Sequence, residues 1–159
     1  MEKFQEQNLI IRLTINFVNI IMWTDCIDES QIVNHLYKNK IPSLADIYFQ
    51  DFIFSPGGTG FLTLVFNIEE LPEKMPEKWK SRDVNAVQIA IEIVKPEIKH
   101  FELSTNNYNH LVFDISLIDK NEVKITIKDI IGRIVLEIEG ISAYLKGLSG
   151  FSIGETNDF

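Results

Sequence analysis

The chain has 159 residues and a mass of 18.3 kDa, enough to bury about 69 % of the surface of its extended form and to build one real core. With 45 % hydrophobic and 24 % charged residues it is ordinarily globular and free of any biased tract. Its 15 Lys and Arg face 23 Asp and Glu, a net charge of −8 with a pI near 4.9, which argues against nucleic acid and membrane as partners, since phosphate backbones and anionic lipid both need a basic footprint.

Leu9–Trp23 is the most apolar stretch, with 11 hydrophobic residues of 15. Arg12, Asn16 and Asn19 interrupt it short of the roughly 20 apolar residues a spanning helix wants. Glu2, Lys3 and Glu6 deny it the net positive start of a secretory signal. Within it Ile11, Leu13, Ile15 and Phe17 alternate with Arg12, Thr14 and Asn16, the period of a strand. Met22–Trp23 opens a more ordinary beginning, so residues 1–21 read as an N-terminal extension, either an extra strand or the product of an upstream start codon. The pair Asp28 and Gln31 resembles a capping box, and Ile32, Val33, Leu36 and Tyr37 share one helical face, which predicts a short helix over 29–38 that ends before Pro42.

From Asp46 onward the period is two. Ile47–Phe54 and Phe61–Ile68 flank Pro56-Gly57-Gly58-Thr59-Gly60 and read as a hairpin. Leu71–Arg82, with Pro72 and Pro76, reads as an ordered surface connection anchored by Trp79. In the strand that follows, Val87, Ile89, Ile91 and Ile93 alternate with Ala86, Gln88, Ala90 and Glu92 up to Pro96. Further strands are expected at Ile98–Leu103, His110–Ile118, Glu122–Lys128, Ile134–Glu139 and Ile141–Lys146. Short connections force antiparallel neighbours. The expected fold is therefore mainly β (α+β): an antiparallel sheet or two-layer β-sandwich of about eight strands with one short N-terminal helix, a single domain over 22–146 and a Gly-containing, fraying tail over 147–159.

Catalytic signatures are missing. His35, His100 and His110 lack ligand spacing, so no metal site is expected; the lone Cys26 excludes a disulfide framework and reads as a packing residue. Gly57–Gly60 leads into a strand and lacks the Gly-Lys-Ser/Thr of a phosphate cradle. Carboxylates remain. Glu69, Glu70, Glu73 and Glu77 lie together but are interleaved with Lys74, Lys78, Lys80 and Arg82, a pattern that suits either a self-neutralised face or an acidic docking surface. Asp114, Glu137 and Glu139 take outward positions of neighbouring strands. Tyr48, Phe49, Phe52 and Phe54 fall on both faces of one strand, so at least one should reach the surface, where an aromatic beside acids suits a basic protein partner.

Trp23, Ile41-Pro42-Ser43-Leu44, Leu62-Thr63-Leu64-Val65-Phe66, Leu71-Pro72 with Pro76 and Lys78-Trp79, Val84-Asn85-Ala86-Val87-Gln88 and Gly140-Ile141-Ser142-Ala143-Tyr144 together resemble a bacterial immunity-protein family of polymorphic toxin systems. The likeness runs from about Met22 to Leu145. It implies a cytoplasmic protein that neutralises a cognate toxin and carries no catalytic residue and no cofactor; Trp23, Trp79, Asn85, Gln88 and Tyr144 match its pattern as scaffold. The expected partner is a basic toxin domain, for instance a nuclease whose substrate groove an acidic surface would occlude. Two alternatives stay open. One is a small-ligand-binding or enzymatic β module with a pocket around Asn85, His100 or Tyr108, and the other is a subunit that pairs through strand edges such as Ile11–Phe17. The excess of acid sits in the β-rich body, where residues 41–83 and 84–159 carry −3 and −4 against −1 for residues 1–40.

Overall fold

The computed structural model describes residues 22–38 and 40–154, so the expected extension over 1–21 lies outside the described residues. A 3-10 turn at Trp23–Cys26 and helix α1 (Gln31–Leu36) precede a run of strands, β1 (Tyr48–Ser55), β2 (Phe61–Ile68), β3 (Ala86–Val94), β4 (Glu97–Phe101), β5 (Val112–Asp119), β6 (Glu122–Lys128), β7 (Ile134–Gly140) and β8 (Ser142–Phe151), with a one-turn helix α2 (Glu77–Lys80) between β2 and β3. The strands form two antiparallel four-stranded sheets, ordered β1-β2-β3-β8 (sheet I) and β4-β7-β6-β5 (sheet II). The mainly β, eight-stranded architecture is the one the alternation predicts.

The inner faces follow the period-two pattern. Leu62, Leu64 and Phe66 of β2 and Ile89, Ile91 and Ile93 of β3 are fully buried against Val123, Ile125 and Ile127 of β6 and Leu136 and Ile138 of β7. Phe66 meets Phe113 of β5 across the sandwich, ring centroids 5.0 Å apart. Residues 26–38 and 40–47 close one side of this core with Ile27, Val33, Tyr37, Leu44 and Ile47. Their backbone also tethers both sheets. Asp28 N–H donates to Ala143 O at 2.9 Å and Asp28 O accepts from Leu145 N–H at 2.9 Å, while Ile47 and Leu111 bridge β1 to the approach of β5.

Two corners join the sheets. β3 turns into β4 through Lys95-Pro96, and β7 into β8 through Gly140-Ile141, with Ile141 N–H donating to Val94 O at 3.1 Å. The fit at Gly140 leaves no room for a side chain: a Cβ there would overlap Ile93 Cγ2 and stand 3.0 Å from Val94 O.

Two elements differ from expectation. The helix is shorter than 29–38 because Glu29 adopts φ +59°, outside the helical region, and Asp28 is drawn into the bridge to β8. The Asp28–Gln31 box therefore does not form; Ser30 is the N-cap, and its hydroxyl donates to Thr24 O at 2.8 Å. The last strand runs on to Phe151, past the expected end at Lys146. Lys146 is a bulge between Leu145, opposite Ile91, and Gly147, opposite Ala90; beyond it the ladder resumes to Phe151 opposite Ala86. Gly150 lets the buried Trp79 ring lie directly on the strand, since a Cβ there would sit 2.8 Å from Trp79 Cδ2.

Candidate functional site

The outer face of sheet I is uncommon for a solvent-facing sheet surface. A bulge at Gln50 resets β1 so that Tyr48, Asp51 and Ile53 all face outward, opposite Asn67, Val65 and Thr63. The register then lays down two polar rows, Ile53–Thr63–Glu92–Tyr144 and Tyr48–Asn67–Gln88–Ser149. Thr63, Asn67 and Glu92 are buried although no third layer is assigned over them among the described residues.

Glu92 is 6 % exposed. Thr63 Oγ1 donates to its carboxylate at 3.2 Å, Lys146 Nζ at 2.7 Å, and the Tyr144 hydroxyl supplies a third bond. Burial by itself would raise this carboxyl, but the three donors, with the positive charge that one of them, Lys146, carries, outweigh it and hold the group below its ordinary value. The reciprocal effect pushes the Tyr144 phenol up to about 12, chiefly through its bond to Glu92 and then through burial. A folded carboxyl held low stabilises the protein above the unfolded value and loses that contribution as pH falls through the folded one. Tyr144→Phe is thus expected to cost about 1.5 kcal/mol at neutral pH, with the gap to the parent shrinking in acid as pH falls through the lowered Glu92 value. Urea titrations at neutral and acid pH check this, and a gap that stays constant overturns it.

Asn67 is 3 % exposed. Its Nδ2 donates to Gln50 Oε1 at 3.3 Å, while its Oδ1 is buried without a hydrogen-bond partner among the described residues. Burial, together with the charges of Glu69 and Asp46, raises the neighbouring Tyr48 phenol.

The expected acids fall into two groups. Glu69, Glu70, Glu73 and Glu77 lie on the β2–β3 connection, where Glu73 pairs with Lys40 at 2.5 Å, Glu77 with Lys80 at 2.8 Å, and Glu70 Oε2 accepts from Ser43 N–H at 3.0 Å. The Lys40 ammonium holds the Glu73 carboxyl below its usual value. Asp114 and Glu137 share one row of the outer face of sheet II with Thr126 and His100, and Glu139 stands in the next row beside Lys124 and Glu97. Lys124 reaches Glu137 at 3.1 Å and Lys99 reaches Glu139 at 3.8 Å. Sheet II thus brings the second group together on one face, partly neutralised, at a different place from the first. Glu69 and Asp114 take part in no ion pair among the described residues.

Of the strand-one aromatics, Phe49 and Phe52 pack against the core and Phe54 is 46 % exposed; Phe52 meets the exposed Phe101 of β4 at 4.9 Å. Asn85, His100 and Tyr108 stand on separate elements with local partners. Asn85 clips the end of β8 by two bonds to Ile153, His100 Nε2 lies 3.2 Å from Glu102 Oε1, and Tyr108 O accepts from Phe49 N–H. A groove of about 790 Å³ instead runs between α1 and the β2–β3 connection, lined by His35, Lys38, Lys74 and Met75 among others. Burial and then Asp25 raise the Cys26 thiol, which suits packing rather than attack. Among the described residues no three His, Cys, Asp or Glu side chains are grouped to hold a metal, and no helix is long and apolar enough to cross a membrane.

Trp23, Trp79, Asn85 and Tyr144 make contacts within the fold. Trp23 Nε1 donates to Pro42 O at 2.9 Å, Trp79 fills the core beside Gly150, and Tyr144 holds Glu92. The model of the family described as Immunity protein 50 matches residues 29–144, which takes in both sheets up to the start of β8. The chain belongs to the Immunity protein 50 family. No curated protein and no solved structure matches it. Within this Immunity protein 50 domain the burial of the polar residues Thr63, Asn67 and Glu92 went unrecognised in the sequence, as did Lys146, the ion-pair partner of Glu92 just beyond the matched residues. A usable signal was the outward set of β2 and β3, where Phe61, Val65, Ala86, Ala90 and Val94 are too apolar or too small for a plainly wet face.

Proposed function

We propose that this protein binds and neutralises a cognate toxin by covering the toxin's active site with an acidic surface. Membership of the Immunity protein 50 family across residues 29–144 carries this reading. The net charge of −8 supports a basic toxin domain, such as a nuclease, as the partner, because an inhibitor can present carboxylates where the toxin expects phosphates. Glu69, Glu70, Glu73 and Glu77 at the β2–β3 connection, and Asp114, Glu137 and Glu139 on sheet II, are the acids we propose for that surface. The site of action is the cytoplasm, the chemistry is binding rather than catalysis, and no cofactor takes part.

The test is co-expression with a toxin domain encoded beside this gene. Growth is restored and the two proteins elute as one complex; no complex and no rescue overturns the proposal. Electrostatic steering further predicts an association rate about tenfold lower at 0.15 M than at roughly 0.01 M salt. A rate indifferent to salt, measured by stopped flow, removes the acidic-surface component.

A further inference from the structure

The outer face of sheet I holds a buried acceptor with no donor. Asn67 Oδ1 has no partner among the described residues, and the Nδ2 of the same amide is held only by Gln50, an exposed side chain on a bulge. An acceptor left unpaired in a folded protein costs free energy that a ligand's donor recovers. The groups around it supply charge of one sign. Asp51 sits diagonally across the β1–β2 pair from Asn67, Glu69 lies two residues further along the chain, and Gln88 stands directly opposite on β3. Both carboxylates are exposed, and neither is in an ion pair among the described residues. Tyr48, opposite Asn67 on the other side, supplies a ring that lies 5.2 Å from that of His110 and a hydroxyl beside Glu69.

From these placements we infer that Asn67, flanked by Asp51, Glu69 and Tyr48, forms a seat for an arginine side chain presented by the toxin, the guanidinium displacing Gln50 and donating to Asn67 Oδ1. The identity of the partner rests on the toxin-binding reading; the chemistry of the seat does not. A planar guanidinium fits because it offers several N–H groups in a fixed fork, enough to serve a neutral amide oxygen and a carboxylate at once, and its face stacks on an aromatic ring.

The probe is N-acetylarginine amide, titrated into the full-length ¹⁵N-labelled protein with the uncharged citrulline analogue as control. The side-chain amides of Asn67 and Gln50 shift saturably with arginine and not with citrulline. Asn67→Leu abolishes the response, and the exposed double variant Asp51→Asn with Glu69→Gln weakens it about tenfold. Asn67→Leu also melts no lower than the parent, because it removes an unsatisfied acceptor, whereas an Asn67 of purely structural value would lower Tm. If Asn67→Leu fails to fold, the double variant alone decides. No saturable shift at Asn67, an equal response to citrulline, or an unaffected double variant overturns the seat. In the co-expression assay, an arginine-blind variant that protects in full also overturns it as a toxin contact. Arginine binding by a parent protein that gives no protection overturns the neutralisation reading and leaves the seat standing.

Discussion

A Phe66→Ala variant is expected to lose about 3–5 kcal/mol of stability, the cost of emptying a fully buried aromatic site. Phe66 has no exposed surface and sits on β2, in the middle of sheet I, with its ring 5.0 Å from that of Phe113 on β5. The ring therefore packs one sheet on the other, and its removal leaves a void between layers that the paired backbones cannot collapse. Against a total of about 5–15 kcal/mol for a domain of ordinary stability, the variant retains only part of its folded margin. Urea unfolding checks this through a lower midpoint at unchanged slope. A double-mutant cycle with Phe113→Leu should return a coupling of about 0.5–1.5 kcal/mol. A loss under about 1 kcal/mol, the level of an average substitution, overturns the interlayer role.

Gly140→Val is expected to cost about 3 kcal/mol, the upper part of the range for overpacking. The cause is proximity rather than backbone freedom. A Cβ at this position overlaps Ile93 Cγ2 and presses on Val94 O, the acceptor for Ile141 N–H. Relief requires the β7–β8 corner to separate from the end of β3, which breaks that bond and exposes Ile93, now fully buried. Gly140→Ala is the milder comparison, and Gly57→Ala, where a Cβ meets nothing within 4 Å, is the control. Thermal melts of the three separate the effect: valine falls furthest, alanine less, and the Gly57 variant stays near the parent. Equal melting of the Gly140 and Gly57 variants overturns the argument.

The strands were legible because their period is two and their inward residues are large and aliphatic, as in Val87–Ile93 and Val123–Ile127. Their partition into sheets was not. Placing β8 next to β3 and β4 next to β7 depends on contacts between distant residues, and a local pattern carries no such information. The bulges at Gln50 and at Lys146 defeated the alternation in sheet I, since one extra residue turns the following side chains to the other face. The helix start was misread because Asp28 and Glu29 answer to a tertiary bridge rather than to the helix. Glu92 was read as an outward polar residue, and its direction was right; its burial depends on Thr63, Tyr144 and Lys146, drawn from two other strands. The orphaned oxygen of Asn67 left no trace in the sequence, because the lack of a partner is a property of assembled neighbours.

The clasp of Asp28 on β8 has a bearing on synthesis. The two partners of that bridge come from opposite ends of the described residues, and β8 is the last of the eight described strands to be made. Sheet II can pair from β5 to β7 while β8 is still in the exit tunnel, but sheet I has its edge, and the N-terminal segment its anchor, only after Phe151 emerges. Long-range closure of this kind places folding in the slow, non-local regime. The face that carries Glu92 and Asn67 is therefore completed only once β8 has paired with β3, late in the folding of the described residues.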